Sequence, residues 1–194
     1  AEIEKAVQDP KARGANTRDW SVASAGELAQ HILDTHHVYM KTNLPRLADL
    51  FKKVISAHGE RHGEMLRAAQ QVFQGLKAEI EAHLMKEEQI LFPYILQLDA
   101  FRPGSGPPPA SHCGTVQNPI RQMEREHENA GSALARIREL TSDYTLPEDA
   151  CPSFASLYEG LEGMEADLHE HIHLENNILF PRAIEIEREA HGGS

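Results

Sequence analysis

The chain reads as an all-helical protein folded as an antiparallel up-down-up-down four-helix bundle, and three features predict it. Apolar residues recur at spacings of three, four and seven, the mark of a helix packed along one stripe. Alternation of the β type is scarce. The interruptions are short or rich in proline, which suits long helices joined to their neighbours.

Residues 1–20 are polar and read as an arm and linker; the domain proper spans 21–190. The first helix is expected over 25–58, where Leu33, Met40, Leu44, Leu47, Phe51 and Val54 mark one stripe. Gly59 and Gly63 punctuate a turn, and a second helix is expected over 64–98. Residues 101–119 hold five prolines and three glycines, too many for a helix to continue. A third helix is expected over 119–142, with Pro119 at a favourable first-turn position, and a fourth over 153–188 after the loop SDYTLPEDACP.

The length of 194 residues, 40% of them apolar, suits one compact domain with a short appendage. A net charge of -11 argues against nucleic acid or an anionic membrane surface as partner. No apolar run approaches the roughly 20 residues that cross a bilayer. The first residues, AEIEKAVQDPKARG, lack the pattern of a signal peptide, so the expected location is the cytoplasm. Cys113 and Cys151 do not suggest a disulfide framework. Histidine stands out instead: twelve residues, several inside apolar helical patterns where a basic imidazole needs a partner.

The chemistry lies in an internal repeat. HLMKEEQILFP at 83–93 and HIHLENNILFP at 171–181 share the pattern His-x-x-x-Glu-x-x-Ile-Leu-Phe-Pro. A His and a Glu four apart share one face of a helix, so His83 with Glu87 and His171 with Glu175 can each reach one metal centre. The preceding helices repeat too, since His37 and His127 are followed by apolar residues at the same offsets. In an antiparallel hairpin, residues equally far from the turn lie at one level. His37 and His83 are about 23 residues either side of the first turn, and His127 and His171 are similarly placed about the second. Four imidazoles in one layer, with Glu87 and Glu175 one turn along, suit two irons bridged by the carboxylates, a set favouring iron or manganese over magnesium or calcium.

Other histidines fit less well. His58 shares the stripe of His37 but lies roughly 31 Å along a straight helix, and joins the centre only if the helix breaks early, as Pro45 would allow. His31, His36, His169 and His173 point away as solvated or supporting residues, and His112 beside Cys113 lacks further ligands. Glu79, one turn before His83, and Glu126, adjoining His127, could support those histidines, with a solvated face as the plainer alternative.

HLMKEEQILFP, REHENAG, DLHEHIHLENNILFPRA, the THH segment and the PEDAC loop, occurring in order over about residues 18–185, resemble the repair-of-iron-centres proteins, which carry a hemerythrin-like di-iron domain. The resemblance implies His37, His83, His127 and His171 as terminal ligands and Glu87 and Glu175 as bridges, holding two non-haem iron ions that are oxo-bridged when oxidised. It also implies a stress-response protein that restores damaged iron–sulfur proteins by supplying iron, with NO or O2 as small ligands. The alternatives are an oxygen or nitric oxide carrier or sensor, and a di-iron nitric oxide reductase. Full-length members carry an N-terminal domain with a Cys-Cys pair, and residues 1–20 resemble only its tail. Gly131 stands where oxygen-carrying hemerythrins place a further histidine, which argues against reversible oxygen carriage.

Overall fold

In the computed structural model the described residues are 19–102, 104, 106–110 and 113–192; most of the expected arm at 1–20, and His112, lie outside them. Helix α1 (Ala25–Ile32) starts at a capping box, in which the Ser24 hydroxyl accepts from the Glu27 N–H and the Glu27 carboxylate accepts from the Ser24 N–H. A π-helical turn at Leu33–His37 leads into α2 (Val38–Lys86), a second π turn at Glu87–Leu91 follows, and α3 is Phe92–Ala100. Beyond the proline-rich loop come α4 (Gln117–Leu140), α5 (Pro152–Leu174), a third π turn at Glu175–Leu179 and α6 (Phe180–Ala190). The described residues contain no β-strand.

Two separate helices over 25–58 and 64–98 were the expectation, whereas helical backbone runs through Gly59 and Gly63 without a break. A glycine inside a helix costs only about 1 kcal/mol against alanine, so it does not by itself end one. Yet α2 is not a straight rod. A straight helix of its 49 residues would span roughly 73 Å. The rings of Phe51 and Phe73 stand 5.2 Å apart, and His37 Nε2 lies 3.4 Å from Glu87 Oε2. The segment therefore doubles back, and both pairs are equidistant from residue 62, close to the glycines.

The two π turns that begin at Glu87 and Glu175 have a local cause in the repeated Phe-Pro. Pro93 and Pro181 lack the N–H that would bond four residues back, and their rings crowd that carbonyl. The preceding turn widens instead: the Phe92 N–H donates to the Glu87 carbonyl and the Phe180 N–H to the Glu175 carbonyl, five residues back rather than four. Each widened turn begins at a glutamate of the repeat.

The buried apolar residues form two clusters. One is built on Met40, Leu47, Phe51, Phe73, Leu84, Leu134, Phe154, Leu161 and Leu168, the other on Leu28, Ile32, Phe92, Ile95, Ile120, Leu174 and Phe180. Gly160 lets α5 close on α2, because a Cβ there would meet Leu47 Cδ2 at 2.6 Å. Between the clusters along every long segment lie His37, His83, Glu87, His127, His171 and Glu175, all buried.

At the far end, α4 closes in three successive left-handed residues, Ser142, Asp143 and Tyr144, with φ of 50°, 53° and 57°. Such backbone is unfavourable for residues other than glycine and persists only when the surroundings hold it. Buried Glu165 does so: it accepts from Tyr144 Oη and from Arg138 Nε, both at 2.7 Å. Replacing Glu165 by Ala removes both acceptors and is expected to cost about 2–3 kcal/mol. Thermal unfolding should show this as a fall of roughly 5–10 °C in the midpoint; an unchanged midpoint would mean that the turn is held by other contacts.

Candidate metal centre

The six residues singled out by the repeat meet in one place. Glu87 stands between two pairs of imidazoles, with Oε1 3.2 Å from His83 Nε2 and Oε2 3.4 Å from His37 Nε2 and 4.0 Å from His171 Nε2. Glu175 mirrors it, with Oε1 3.2 Å from His171 Nε2 and Oε2 3.1 Å from His127 Nε2. Two four-residue groups result, His37/Glu87/His171/Glu175 and His83/Glu87/His127/Glu175, and each keeps its donor atoms within 4.8 Å of one another. Both groups share both glutamates. Every imidazole turns its Nε2 inward and its Nδ1 away.

The outward nitrogens are held unequally. His37 Nδ1 lies 2.7 Å from Glu88 Oε1, which also receives Lys41 Nζ. His83 Nδ1 lies 2.9 Å from Glu126 Oε2, and Lys86 and Gln122 donate to the other oxygen of that carboxylate. His127 Nδ1 faces Asn176 Oδ1 at 3.0 Å. His171 Nδ1 is buried without a hydrogen-bond partner among the described residues, and the ring of His36 stacks on that of His171 at 5.4 Å. Of the two expected supporting glutamates, Glu126 touches a site histidine, whereas Glu79 is exposed.

Electrostatics follow from this crowding of donors. Burial, the largest influence on Glu175, would raise its carboxyl, but the facing His171 and His127 hold it well below the usual carboxylate range. Burial likewise opposes charge on His83, and Glu87, Glu175 and Glu126 outweigh it, raising the imidazole to about 9. His37 is raised for the same reasons, burial being overcome chiefly by Glu87. Glu126 falls to about 2: burial opposes this, and Lys86, Gln122 and His83 prevail. The interior is thus a pair of carboxylates that calls for positive charge.

The remaining histidines separate clearly. His58 packs against Phe154 at 5.2 Å and pairs with Cys151, so it does not join the centre. His169 and His173 are exposed, and His31 stacks on Trp20 at 4.2 Å. His36 is fully buried, with Nδ1 3.2 Å from Asp167 Oδ1, so of the two roles expected for it the solvated one is excluded. The sequence reasoning missed Glu88 and Asn176. A signal for them existed, since each directly follows a repeat glutamate, Glu87 or Glu175.

Residues 28–183 match the family described as the hemerythrin HHE cation binding domain. Over 186 residues the chain is 40% identical to a probable iron-sulfur cluster repair protein of Haemophilus influenzae, an alignment covering 95% of this chain and 77% of that protein. It is 37% identical over 183 residues to the iron-sulfur cluster repair protein YtfE of Dickeya chrysanthemi, covering 94% and 76%, and 40% identical over 167 residues to that of Edwardsiella ictaluri, covering 86% and 69%. The chain belongs to the hemerythrin-like family of iron–sulfur cluster repair proteins. It spans about three quarters of the length of the first two relatives. A cation-binding domain of this family accounts for carboxylates buried beside imidazoles. No helix among the described residues is long and apolar enough to cross a membrane.

The thiol beside His58 yields a prediction of its own. Cys151 is the N-cap of α5, and its hydrogen bond with His58, helped by the N–H groups of Phe154 and Ser153, brings the thiol down to about 7. Alkylation of Cys151, mapped by mass spectrometry, should therefore reach half its maximal rate near pH 7, and His58→Ala should move that midpoint upward. A midpoint that ignores His58 would show that the imidazole does not hold the thiolate.

Proposed function

We propose that the chain binds two iron ions between its four histidines and two glutamates and gives up iron to iron–sulfur proteins damaged by nitrosative or oxidative stress. In this reading His37 and His171 hold one ion, His83 and His127 the other, and Glu87 and Glu175 bridge them. The observation that carries it is the pair of fully buried glutamates whose four oxygens have no hydrogen-bond partner among the described residues while four imidazole Nε2 atoms face them. Buried carboxylates left so are costly unless a cation completes them. The mixed nitrogen and carboxylate donor set suits iron. The names borne by the relatives, iron–sulfur cluster repair proteins, supply the process.

Bound iron would supply ferrous–ferric redox chemistry and open positions for NO or O2. The protein's own residues do the rest. Glu88 and Glu126 accept from the outward N–H of His37 and His83, which fixes the tautomer that leaves Nε2 free to bind. Phe92 and Phe180 pack against His37 and His127 and keep water from that side. The paired shared donors and the doubled-back α2 also support the antiparallel four-helix arrangement, with residues 21–190 as one domain. A cytoplasmic location fits the process.

Iron analysis after anaerobic loading should find about two ions per chain, and His83→Ala or His171→Ala should lower that content and the thermal midpoint together, since a bridging carboxylate loses its counter-charge. Full iron content in both variants would refute the ligand assignment. In the same preparations, with inorganic sulfide and a thiol reductant supplied, loaded protein should rebuild the cluster of an apo iron–sulfur protein while metal-free protein does not; equal yields would refute donation.

A further inference from the structure

The two halves of the repeat place equivalent residues behind equivalent histidines, with one exception. Glu88 follows Glu87 and holds His37; Asn176 follows Glu175 and holds His127. Glu126 precedes His127 and holds His83, so the equivalent residue for His171 is the one that precedes His37. That residue is His36. It lies flat on the His171 ring, 5.4 Å between centroids and 6° between planes, a geometry that stacks rings but aims no acceptor at Nδ1. His36 Nδ1 is instead turned to Asp167, at 3.2 Å.

We infer that the two metal positions are unequal, and that the ion between His37 and His171 is the more weakly held. This rests on the proposed function. An acceptor on the outward nitrogen of a ligating histidine makes the ring a better donor and fixes its orientation, and losing one typically costs 10–100-fold in metal affinity. The His83/His127 position has both outward nitrogens engaged, by Glu126 and Asn176. The His37/His171 position has one, engaged by Glu88. A chain that gives up iron by this design releases one ion and retains the other. The small cavity lined by Glu79, His83, Glu126 and His127 reaches only the tighter pair, so it bears on how fast ions enter and not on how tightly each is held.

The test is an anaerobic equilibrium titration of metal-free protein with ferrous iron, followed by Mössbauer spectroscopy of each step. Two steps are expected, separated by roughly 10–100-fold in affinity. Asn176→Ala should weaken the tighter step and draw the two together. His36→Gln combined with Asp167→Asn supplies an amide acceptor to His171 without leaving a buried charge, and should strengthen the weaker step. Circular dichroism confirms that each variant is folded; if the double variant does not fold, Glu88→Gln replaces it and should weaken the weaker step alone. A single step with two equivalent ions, or Asn176→Ala acting on the weaker step, overturns the inequality and leaves the proposed function standing. Protein that binds no iron overturns both.

Discussion

Two carboxylates buried between two apolar clusters are the constraint on which the rest of the structure depends. Glu87 and Glu175 are fully enclosed, and their oxygens find no hydrogen-bond donor among the described residues. Removing such groups from water costs several kcal/mol each unless positive charge compensates. The protein supplies four inward imidazole nitrogens, and polar residues on three of the four outward ones. Packing cannot replace this arrangement. If the clusters above and below met directly, they would bury more apolar surface, so the polar layer exists at some cost to stability and is kept for what it binds.

Geometry around that layer is set by the repeat. Each Phe-Pro widens the turn before it, and the widened turn begins at the glutamate that must face the interior. The first π turn, Leu33–His37, ends at a site histidine, so three of the six site residues sit where the helix departs from its usual winding. Wider winding adds a residue to the turn and re-aims the side chain, which is the use such turns commonly serve at functional sites.

Much of this was legible in the sequence, because the repeat combined ligand spacing with helical periodicity. His83 with Glu87 and His171 with Glu175 are readable as pairs from their four-residue separation alone, and the level of His37 and His127 follows from counting rises about a turn. The reversal near residue 62 was legible from Gly59 and Gly63, but its continuous helical backbone was not, since a glycine's small cost in a helix leaves the outcome to tertiary packing. The π turns at Glu87 and Glu175 escaped because the pattern of proline after phenylalanine reads as a helix end as easily as a widened turn. His36 and Asp167 lie on different segments, and a pairing across the bundle leaves no mark on the spacing of either. His58 was decided by its packing on Phe154, which no periodicity reveals.

The proposed centre requires that two ions share Glu87 and Glu175. The most direct measurement is an anomalous-difference map at the iron edge from crystals of the anaerobically loaded protein. Two separate iron peaks are expected, one touching His37 and His171, the other His83 and His127, with Glu87 and Glu175 reaching both. A single peak, or iron held by residues outside these six, would contradict the proposed centre.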